Sequence, residues 1–326
     1  MNSSRRSRKP KVGIALGSGA ARGWSHIGVL NALEQRGIKP DIITGTSIGS
    51  LVGAAYADEK LAELEEWVRD LKWHDVLSYF DISLDGGFIA GKKLFQFLRD
   101  NFYDKDIADL NKPFGAVATN MDTGIEVWLR DGPVMDAARA SSSIPGFFTP
   151  VAHENGWLVD GGLVNPIPVS LCRAMGADIV IAVDLNASPM WRDGESDWQT
   201  PAEPQPTQSD SDNAFVNQLN KIKNKIWSND IGESLLEKRD NAPSILEVLS
   251  RSLNIMQLRI SRSRMAGDPP DILIRPSLPD IDMLDFHRAG ECIAEGVEAV
   301  KRMESQLKHY HLMPRQYAGV DSNELI

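Results

Sequence analysis

The fold of this chain is decided by one short segment, Gly45-Thr46-Ser47-Ile48-Gly49-Ser50. The β-branched stretch 40–44 before it predicts a strand, and the stretch 51–57 after it is rich in helix formers. A serine between two glycines at a sharp turn from strand to helix is typical of a nucleophile elbow, because larger flanking side chains would collide with the adjacent strand or helix. The helix also points its positive end toward charge near the serine Oγ. We therefore predict Ser47 as a nucleophile, and the alternative is a plain turn rich in glycine and serine.

A second glycine-rich loop precedes the elbow. It lies between a predicted buried strand at 11–16 and a predicted helix at 24–36, and it consists of Gly17, Ser18, Gly19, Ala20, Ala21, Arg22 and Gly23. A strand, a glycine-rich loop and a helix in this order cradle an anion, because backbone N–H groups point outward and the helix dipole supports them. Arg22 stands where a dinucleotide site needs its third glycine, and the Gly-Lys-Ser/Thr of a phosphate-binding loop is absent. We therefore interpret the loop as an oxyanion hole for Ser47.

The acid that would assist Ser47 is expected in a glycine turn after another predicted strand. Asp160 is followed there by Gly161 and Gly162, although Asp-Gly-Gly alone is a common turn. The six histidines of the chain are His26, His74, His153, His287, His309 and His311. None fits the order Ser…Asp…His well, since His153 precedes Asp160 and His287 opens a late helix. For His26, in the helix after the loop, we favour capping or packing.

Together these motifs resemble the patatin-like phospholipases. The resemblance rests on Gly17-x-Gly19-x-x-Arg22-Gly23, Gly45-x-Ser47-x-Gly49 and Asp160-Gly161-Gly162. Residues 15–30 and the elbow resemble most the bacterial RssA-type branch, which is related to the catalytic domain of neuropathy target esterase. Ser18 and Ala20 stand where many relatives have glycine, and because both are small we expect the loop to form.

The resemblance implies a three-layer α/β/α sandwich with a mostly parallel central sheet, here carrying a helical insertion. It also implies a Ser47–Asp160 dyad without histidine, acting on phospholipid, lysophospholipid or other carboxylic esters. A free aspartate titrates near pH ~4, and partial burial would raise the pKa of Asp160 and ease proton transfer from Ser47. The alternative is a non-catalytic regulator or scaffold that keeps the fold and binds lipid or protein. The retained serine, acid and glycine loop argue against it.

Composition divides the chain into five predicted parts. They are a basic disordered tail at 1–10, the catalytic core at 11–185, a mobile loop and helical insertion at 186–267, a final strand and helix at 268–307, and a C-terminal tail at 308–326. Because a strand returns at 271–275, we expect one α/β domain rather than two. The apolar stripe of the helix predicted at 244–265 is expected to pack, while a cover over the active site and contact with a second protomer stay open as alternatives.

Two clusters of side chains, one apolar and one of serines, have a functional interpretation that we do not favour. In the helix predicted at 91–101, Leu94, Phe95, Phe97 and Leu98 would line an acyl pocket, but core packing is the favoured interpretation. The serine run 141–143 lacks a glycine elbow, so we expect it to let a helix end pass close to the active site rather than to supply the nucleophile.

Charge and cysteine content limit the partners. The net charge is -10, and the basic residues Arg5, Arg6, Arg8, Lys9 and Lys11 concentrate at the N-terminus. The acidic remainder does not favour nucleic acid. A solvated tail is the favoured interpretation of the basic end, and contact with an anionic membrane surface is the alternative. We expect a lipid or ester substrate, no metal or other cofactor, and a homo-oligomer as an open alternative.

The expected location is the cytoplasm, and the alternative is peripheral contact with the inner face of the membrane. No apolar stretch resembles a secretory signal or spans a bilayer. The cysteines, Cys172 and Cys292, lie in helical segments and are expected to pack as small apolar side chains in a reducing compartment.

Overall fold

A computed structural model describes residues 8–79, 92–101, 105–154, 156–186, 245–310 and 312. The chain divides into two compact units, Met1–Ser188 with Met256–Ile326, and Pro189–Ile255. In the second unit the described residues are 245–255, which form the first part of one long helix. The predicted mobile loop and most of the two predicted tails lie outside the described residues.

The first unit is built of strands and helices, and one of the helices, Ile245–Gly267, begins in the second unit. The strands are β1 (Val12–Leu16), β2 (Ile42–Thr46), β3 (Phe114–Asn120), β4 (Glu126–Leu129), β5 (Val151–His153), β6 (Gly156–Asp160), β7 (Ile179–Val183) and β8 (Ile272–Ile274). The helices are α1 (Ser25–Gln35), α2 (Ile48–Ala57), α3 (Leu61–Asp70), α4 (Trp73–Tyr79), α5 (Lys92–Asn101), α6 (Val134–Ser141), α7 (Val169–Ala174), α8 (Ile245–Gly267), α9 (Ala289–Arg302) and α10 (Glu304–His309). Within the described residues no helix is long and apolar enough to cross a membrane.

The strands form one sheet in the order β5-β6-β3-β2-β1-β7-β8, and β4 pairs with β3. Neighbours from β3 through β2, β1 and β7 to β8 are parallel, whereas β4, β5 and β6 are antiparallel to their partners. Strands β1, β2 and β3 are buried along their whole length, as expected of parallel strands covered on both faces. The predicted three-layer α/β/α sandwich with a mostly parallel sheet is confirmed.

Helices cover both faces of the sheet. On one face α2 packs through Gly53 against Leu16 and Ile43. On the other, Cys172 of α7 packs with Ala15 and Ile42, whose side chains point the opposite way because side chains alternate along a strand.

Helices α1 and α9 pack backbone to backbone. A Cβ on Gly28 would lie 1.9 Å from Ile293 O, and one on Gly296 would lie 2.1 Å from Ser25 O. Only glycine permits this approach at either position.

Two predicted helices differ in their bounds. The sequence of residues 58–73 also predicts an amphipathic helix. The structure has α3 in this stretch, which ends because Leu71 is extended (φ -61°, ψ 124°), and α4 begins only at Trp73. Leu64 and Val68 of the predicted apolar face are buried. The helix predicted at 244–265 corresponds to α8, Ile245–Gly267.

The register of β3 positions the two candidate catalytic residues. β2 pairs with β3 up to Thr46–Val117, and from the next residue of β3 onward β6 is the partner, with Ala118 opposite Asp160. Strand β6 therefore replaces β2 as the partner of β3 at the point where β2 ends at the elbow. This change of partner brings the end of β6 beside Ser47.

Candidate active site

The elbow turns as sharply as its sequence predicts. Ser47 lies between β2 and α2 with φ 57° and ψ -128°, a conformation that a residue with a side chain rarely adopts. A Cβ on Gly45 would lie 2.3 Å from Gly49 O, and one on Gly49 would lie 2.2 Å from Leu16 O. The two glycines are therefore required because backbone passes directly against them on both sides of the serine.

Hydrogen bonds from neighbouring serines hold this strained turn. The Ser47 N–H donates to Ser141 Oγ over 2.9 Å, and Ser141 Oγ donates to Val117 O over 2.6 Å. Ser50 donates to Ser47 O from both its N–H (2.8 Å) and its Oγ (2.6 Å). Ser143 O accepts the N–H of Asp160 over 2.9 Å. The serine run at the end of α6 thus supports the elbow and the acid, a role that sequence reasoning missed.

Ser47 and Asp160 are in direct contact. Ser47 Oγ donates to Asp160 Oδ2 over 2.5 Å, and Gly162 N–H donates to Asp160 Oδ1 over 2.6 Å. Both side chains are buried, with Ser47 3% and Asp160 1% exposed. A Cβ on Gly161 would lie 2.2 Å from Val117 O, so the glycine turn lets the acid approach β3 closely.

Burial makes Asp160 a better base than a free aspartate. It raises the pKa of Asp160 to about 6, while hydrogen bonds from Ser47 and Gly162 lower the pKa and only partly offset the effect. At neutral pH the carboxylate is mostly ionised, yet it holds a proton more readily than an aspartate in water.

The glycine-rich loop has fewer available donors than predicted. Four of its N–H groups are used inside the protein: Gly17 donates to Val183 O (3.0 Å), Ser18 to Pro166 O (2.8 Å), Ala21 to Met283 O (3.2 Å) and Arg22 to Gly19 O (3.2 Å). The N–H groups of Gly19 and Ala20 donate to no acceptor among the residues that the structure describes. Of the predicted oxyanion residues, Gly19 and Ala20 thus keep free donors, and Ala20 has a positive φ of 48°.

Gly19 and Gly23 of the loop also serve close packing. A Cβ on Gly23 would lie 2.2 Å from Ile48 Cγ2, and one on Gly19 would lie 2.6 Å from Leu185 Cδ1. Gly19 has φ 171°, which is extended backbone open to any residue. The need for glycine at Gly19 therefore comes from Leu185 and not from a special backbone angle.

Arg22 and His26 hold the loop in place. Arg22 Nε donates to Gly19 O over 3.4 Å and its Nη2 to Asn186 Oδ1 over 3.1 Å. Burial lowers the pKa of His26 to about 4, so the ring is neutral at pH 7, and it lies with Nε2 2.8 Å from Gly17 O. The packing role expected of His26 agrees with this contact.

Within the described part of the chain, no histidine forms a hydrogen bond with Ser47 or Asp160. His153 and His287 are exposed. His311 lies outside the described residues.

An apolar cavity opens beside Ser47. Its empty volume is about 630 Å³ with open solvent included, and it is lined by Ala20, Trp24, Ser47, Ile48, Leu51, Trp67, Leu71, Val76, Leu94, Phe95, Leu98, Ser142, Ile144, Phe148 and Phe286. Leu94, Phe95 and Leu98, for which core packing was favoured, lie on its wall. Phe97 instead stacks on Trp67, with ring centroids 5.2 Å apart.

Comparison with known proteins places the chain in a family. The family model described as patatin-like phospholipase matches residues 14–173. A Mycobacterium tuberculosis protein named as an uncharacterized NTE family protein is 31% identical over 337 aligned positions, which cover 90% of this chain and 91% of that protein.

Two relatives with more specific names are much longer proteins, and the alignment covers only a small part of each. Patatin-like phospholipase domain-containing protein 6 of Homo sapiens is 35% identical over 188 residues, 54% of this chain and 13% of that protein. Lysophospholipase NTE1 of Kluyveromyces lactis is 30% identical over 300 residues, 87% of this chain and 18% of that protein. With the elbow, the acid turn and the glycine-rich loop brought together in one structure, the chain belongs to the patatin-like phospholipase family of ester-bond hydrolases, among the proteins named NTE family.

Proposed function

We propose that this chain is a serine acyl hydrolase that cleaves carboxylic esters of lipids with a Ser47–Asp160 dyad. The observation that carries the proposal is the 2.5 Å hydrogen bond from Ser47 Oγ to Asp160 Oδ2 at a strained elbow. A serine hydroxyl is a weak nucleophile, and a base within hydrogen-bond reach activates it. Asp160 is the only base in that position among the described residues.

The reaction follows in two balanced steps. Ser47 Oγ attacks the ester carbonyl carbon and its proton passes to Asp160. The bond to the leaving alcohol then breaks, and the alcohol takes that proton and leaves the acyl group on Ser47. Water attacks the acyl-serine, again gives a proton to Asp160, and releases the carboxylic acid as the proton returns to Ser47 Oγ.

The oxyanion of each tetrahedral intermediate needs preorganised donors. Gly19 and Ala20 supply the free N–H groups of the loop, and the N-terminus of α2 adds its positive end. One donor of this kind is worth about 3–4 kcal/mol of transition-state stabilisation in a comparable site.

The cavity supports a substrate with an acyl chain. Its wall is apolar apart from Ser47 and Ser142, so it suits a hydrocarbon chain whose ester carbonyl stops at Ser47. The relatives named phospholipase and lysophospholipase support a phospholipid or lysophospholipid ester. We further propose that the enzyme works in the cytoplasm, and contact of its basic N-terminus with an anionic membrane surface remains the alternative to a solvated tail.

An ester panel tests the function. Wild type, Ser47→Ala and the control Ser277→Ala, which alters an exposed serine, are assayed on a short-chain ester, a lysophospholipid and a diacyl phospholipid. We expect wild type and Ser277→Ala to hydrolyse at least one ester and Ser47→Ala to hydrolyse none. Hydrolysis retained in a folded Ser47→Ala would overturn Ser47 as the nucleophile. No hydrolysis and no fluorophosphonate labelling in wild type would favour the non-catalytic alternative.

A further inference from the structure

A buried polar cluster lies against the oxyanion loop and takes no part in the proposed reaction. It joins Arg22 to Ser18, Asn186 and Gln257, which are 1%, 6% and 8% exposed. Gln257 belongs to the second half of α8, far along the chain from the loop. Ser18, its partner in the loop, is one of the residues that depart from the glycine common in the resembled family.

The hydrogen bonds fix which way each amide points. Arg22 has only donors, and its Nη2 lies 3.1 Å from Asn186 Oδ1, which must therefore be the oxygen. Asn186 Nδ2 then faces Ser18 O at 3.3 Å and Gln257 Oε1 at 3.1 Å. Gln257 Oε1 also accepts the hydroxyl of Ser18 over 3.0 Å. These assignments start from the Arg22 guanidinium, which can only donate, so the two amides cannot be turned round.

The other end of the Gln257 amide faces the acid turn. A Cβ on Gly162 would lie 2.5 Å from Gln257 Nε2 and 2.9 Å from Asp160 Oδ1, so both atoms border the same face of Gly162. Gly162 N–H is also the donor to Asp160 Oδ1. Gln257 thus touches the oxyanion loop with its oxygen and the turn of the base with its nitrogen.

We propose that Gln257 is a positioning residue that fixes the oxyanion loop relative to the Ser47–Asp160 pair. It acts through Ser18, whose neighbours Gly19 and Ala20 carry the free donors. The inference rests on the proposed function. Because transition-state donors must be held within a fraction of an ångström, release of this contact costs rate more than it costs binding.

The first test compares Gln257→Met, which keeps the side-chain length without hydrogen bonds, with Ser18→Ala and the double variant. Turnover of a soluble ester, the rate of fluorophosphonate labelling and melting temperature are measured on the same preparations. We expect kcat and labelling to fall roughly ten- to a hundredfold with KM changed by less than about threefold. The double variant is expected to be no slower than the slower single variant, because both changes remove one interaction.

Ser261→Ala is the matched control. Ser261 lies one turn further along α8, is buried, and its hydroxyl has no partner among the described residues. It is expected to match wild type in kcat and labelling.

The second test, Gln257→Glu, covers the case in which the methionine variant does not fold. The carboxylate keeps an acceptor for Ser18 and Asn186 but adds a charge beside Asp160, which raises the pKa of that base. The acid limb of kcat/KM should move to higher pH, while the rate at alkaline pH stays near that of wild type. An unmoved acid limb in the folded variant would contradict the placement of Gln257.

The outcomes separate the inference from the proposed function. Full turnover in a folded Gln257→Met, or additive losses in the double variant, overturns the inference while an inactive Ser47→Ala leaves the function standing. Full turnover in Ser47→Ala overturns both.

Discussion

At the scale of single residues, the proposed mechanism uses an aspartate as base without a histidine. The site makes this workable by burial, which raises the pKa of Asp160 to about 6 against 3.8 in the unfolded chain. The hydrogen bonds from Ser47 and Gly162 prevent a larger rise, so the carboxylate stays ionised at neutral pH. The pKa of Asp160 therefore lies between that of a free aspartate, which is too weak a base, and that of a buried acid that stays neutral at pH 7.

This tuning has a cost in stability that a mutation should expose. Because the folded-state pKa is raised, the protonated form is favoured by folding, and stability is lost as pH rises from about 4 through about 6. Asp160→Asn should therefore abolish turnover and yet raise the free energy of unfolding by about 1–3 kcal/mol at pH 8. The gain should shrink toward pH 4.

Chemical unfolding of wild type and Asp160→Asn at pH 8 and at pH 4 measures this. The variant Asp122→Asn, which removes an exposed carboxylate, is the control. A variant less stable than wild type at both pH values would mean that ionised Asp160 stabilises the fold.

At the scale of elements, the glycine-rich loop differs most from expectation. If Gly19 serves only the oxyanion hole, as the sequence predicts for this loop, Gly19→Val would inactivate the enzyme and leave the protein folded. The extended φ of 171° and the 2.6 Å approach to Leu185 Cδ1 instead predict overpacking. The variant should lose about 1–3 kcal/mol of stability as well as its activity.

Melting temperature and kcat/KM of Gly19→Val are compared with those of Gly290→Ala. Gly290 lies in α9 with its nearest neighbour, Arg69 Nη1, 3.6 Å from a Cβ, so an alanine there should be neutral or stabilising. Normal kcat/KM in Gly19→Val would remove the loop from the mechanism.

The elements also show what the sequence could and could not predict. The elbow, the strands around it and the acid turn were readable because each is a local pattern of glycines and β-branched residues. The direct Ser47–Asp160 contact depends on β6 replacing β2 beside β3, a pairing between distant segments that no local pattern encodes. The contacts of Gln257 with the loop, and the hydrogen bonds that use loop N–H groups on Val183 and Pro166, also join distant segments, so the sequence did not predict them.

The cavity wall offers a test of substrate placement. Leu94→Trp on α5 should fill space beside Ser47 without touching the dyad. The kcat/KM ratio of a long-chain to a short-chain ester should fall by about tenfold or more, because the short ester does not need the blocked volume. Ile125→Trp, at a side chain that is already exposed, should leave the ratio unchanged. An unchanged ratio in Leu94→Trp would place the acyl chain elsewhere.

At the scale of the whole molecule, an acidic body carries a basic N-terminus. Among the described residues of that end, Arg8 pairs with Asp178 over 3.0 Å, an exposed ion pair that contributes about 0–1 kcal/mol. Deletion of residues 1–10 should therefore leave stability and hydrolysis of a soluble ester unchanged. If the tail contacts anionic lipid, the deletion should also weaken binding to anionic vesicles, and more so at low salt, where exposed charges are least screened.

Vesicle flotation at two salt concentrations, with neutral phosphatidylcholine vesicles as the control, measures this effect. Equal binding to anionic vesicles with and without the tail at low salt would leave the tail as a solvated terminus.

The proposed mechanism requires that Asp160 activates Ser47 for acyl transfer. Its most direct test is mass-spectrometric mapping of a fluorophosphonate adduct on the intact chain, with the labelling rate followed between pH 4.5 and 8.5. We expect an adduct on Ser47, a labelling rate that rises through pH about 6 as Asp160 ionises, and a rate lower by orders of magnitude in a folded Asp160→Asn. An adduct on another residue, or an Asp160→Asn variant that labels Ser47 as fast as wild type, would contradict it.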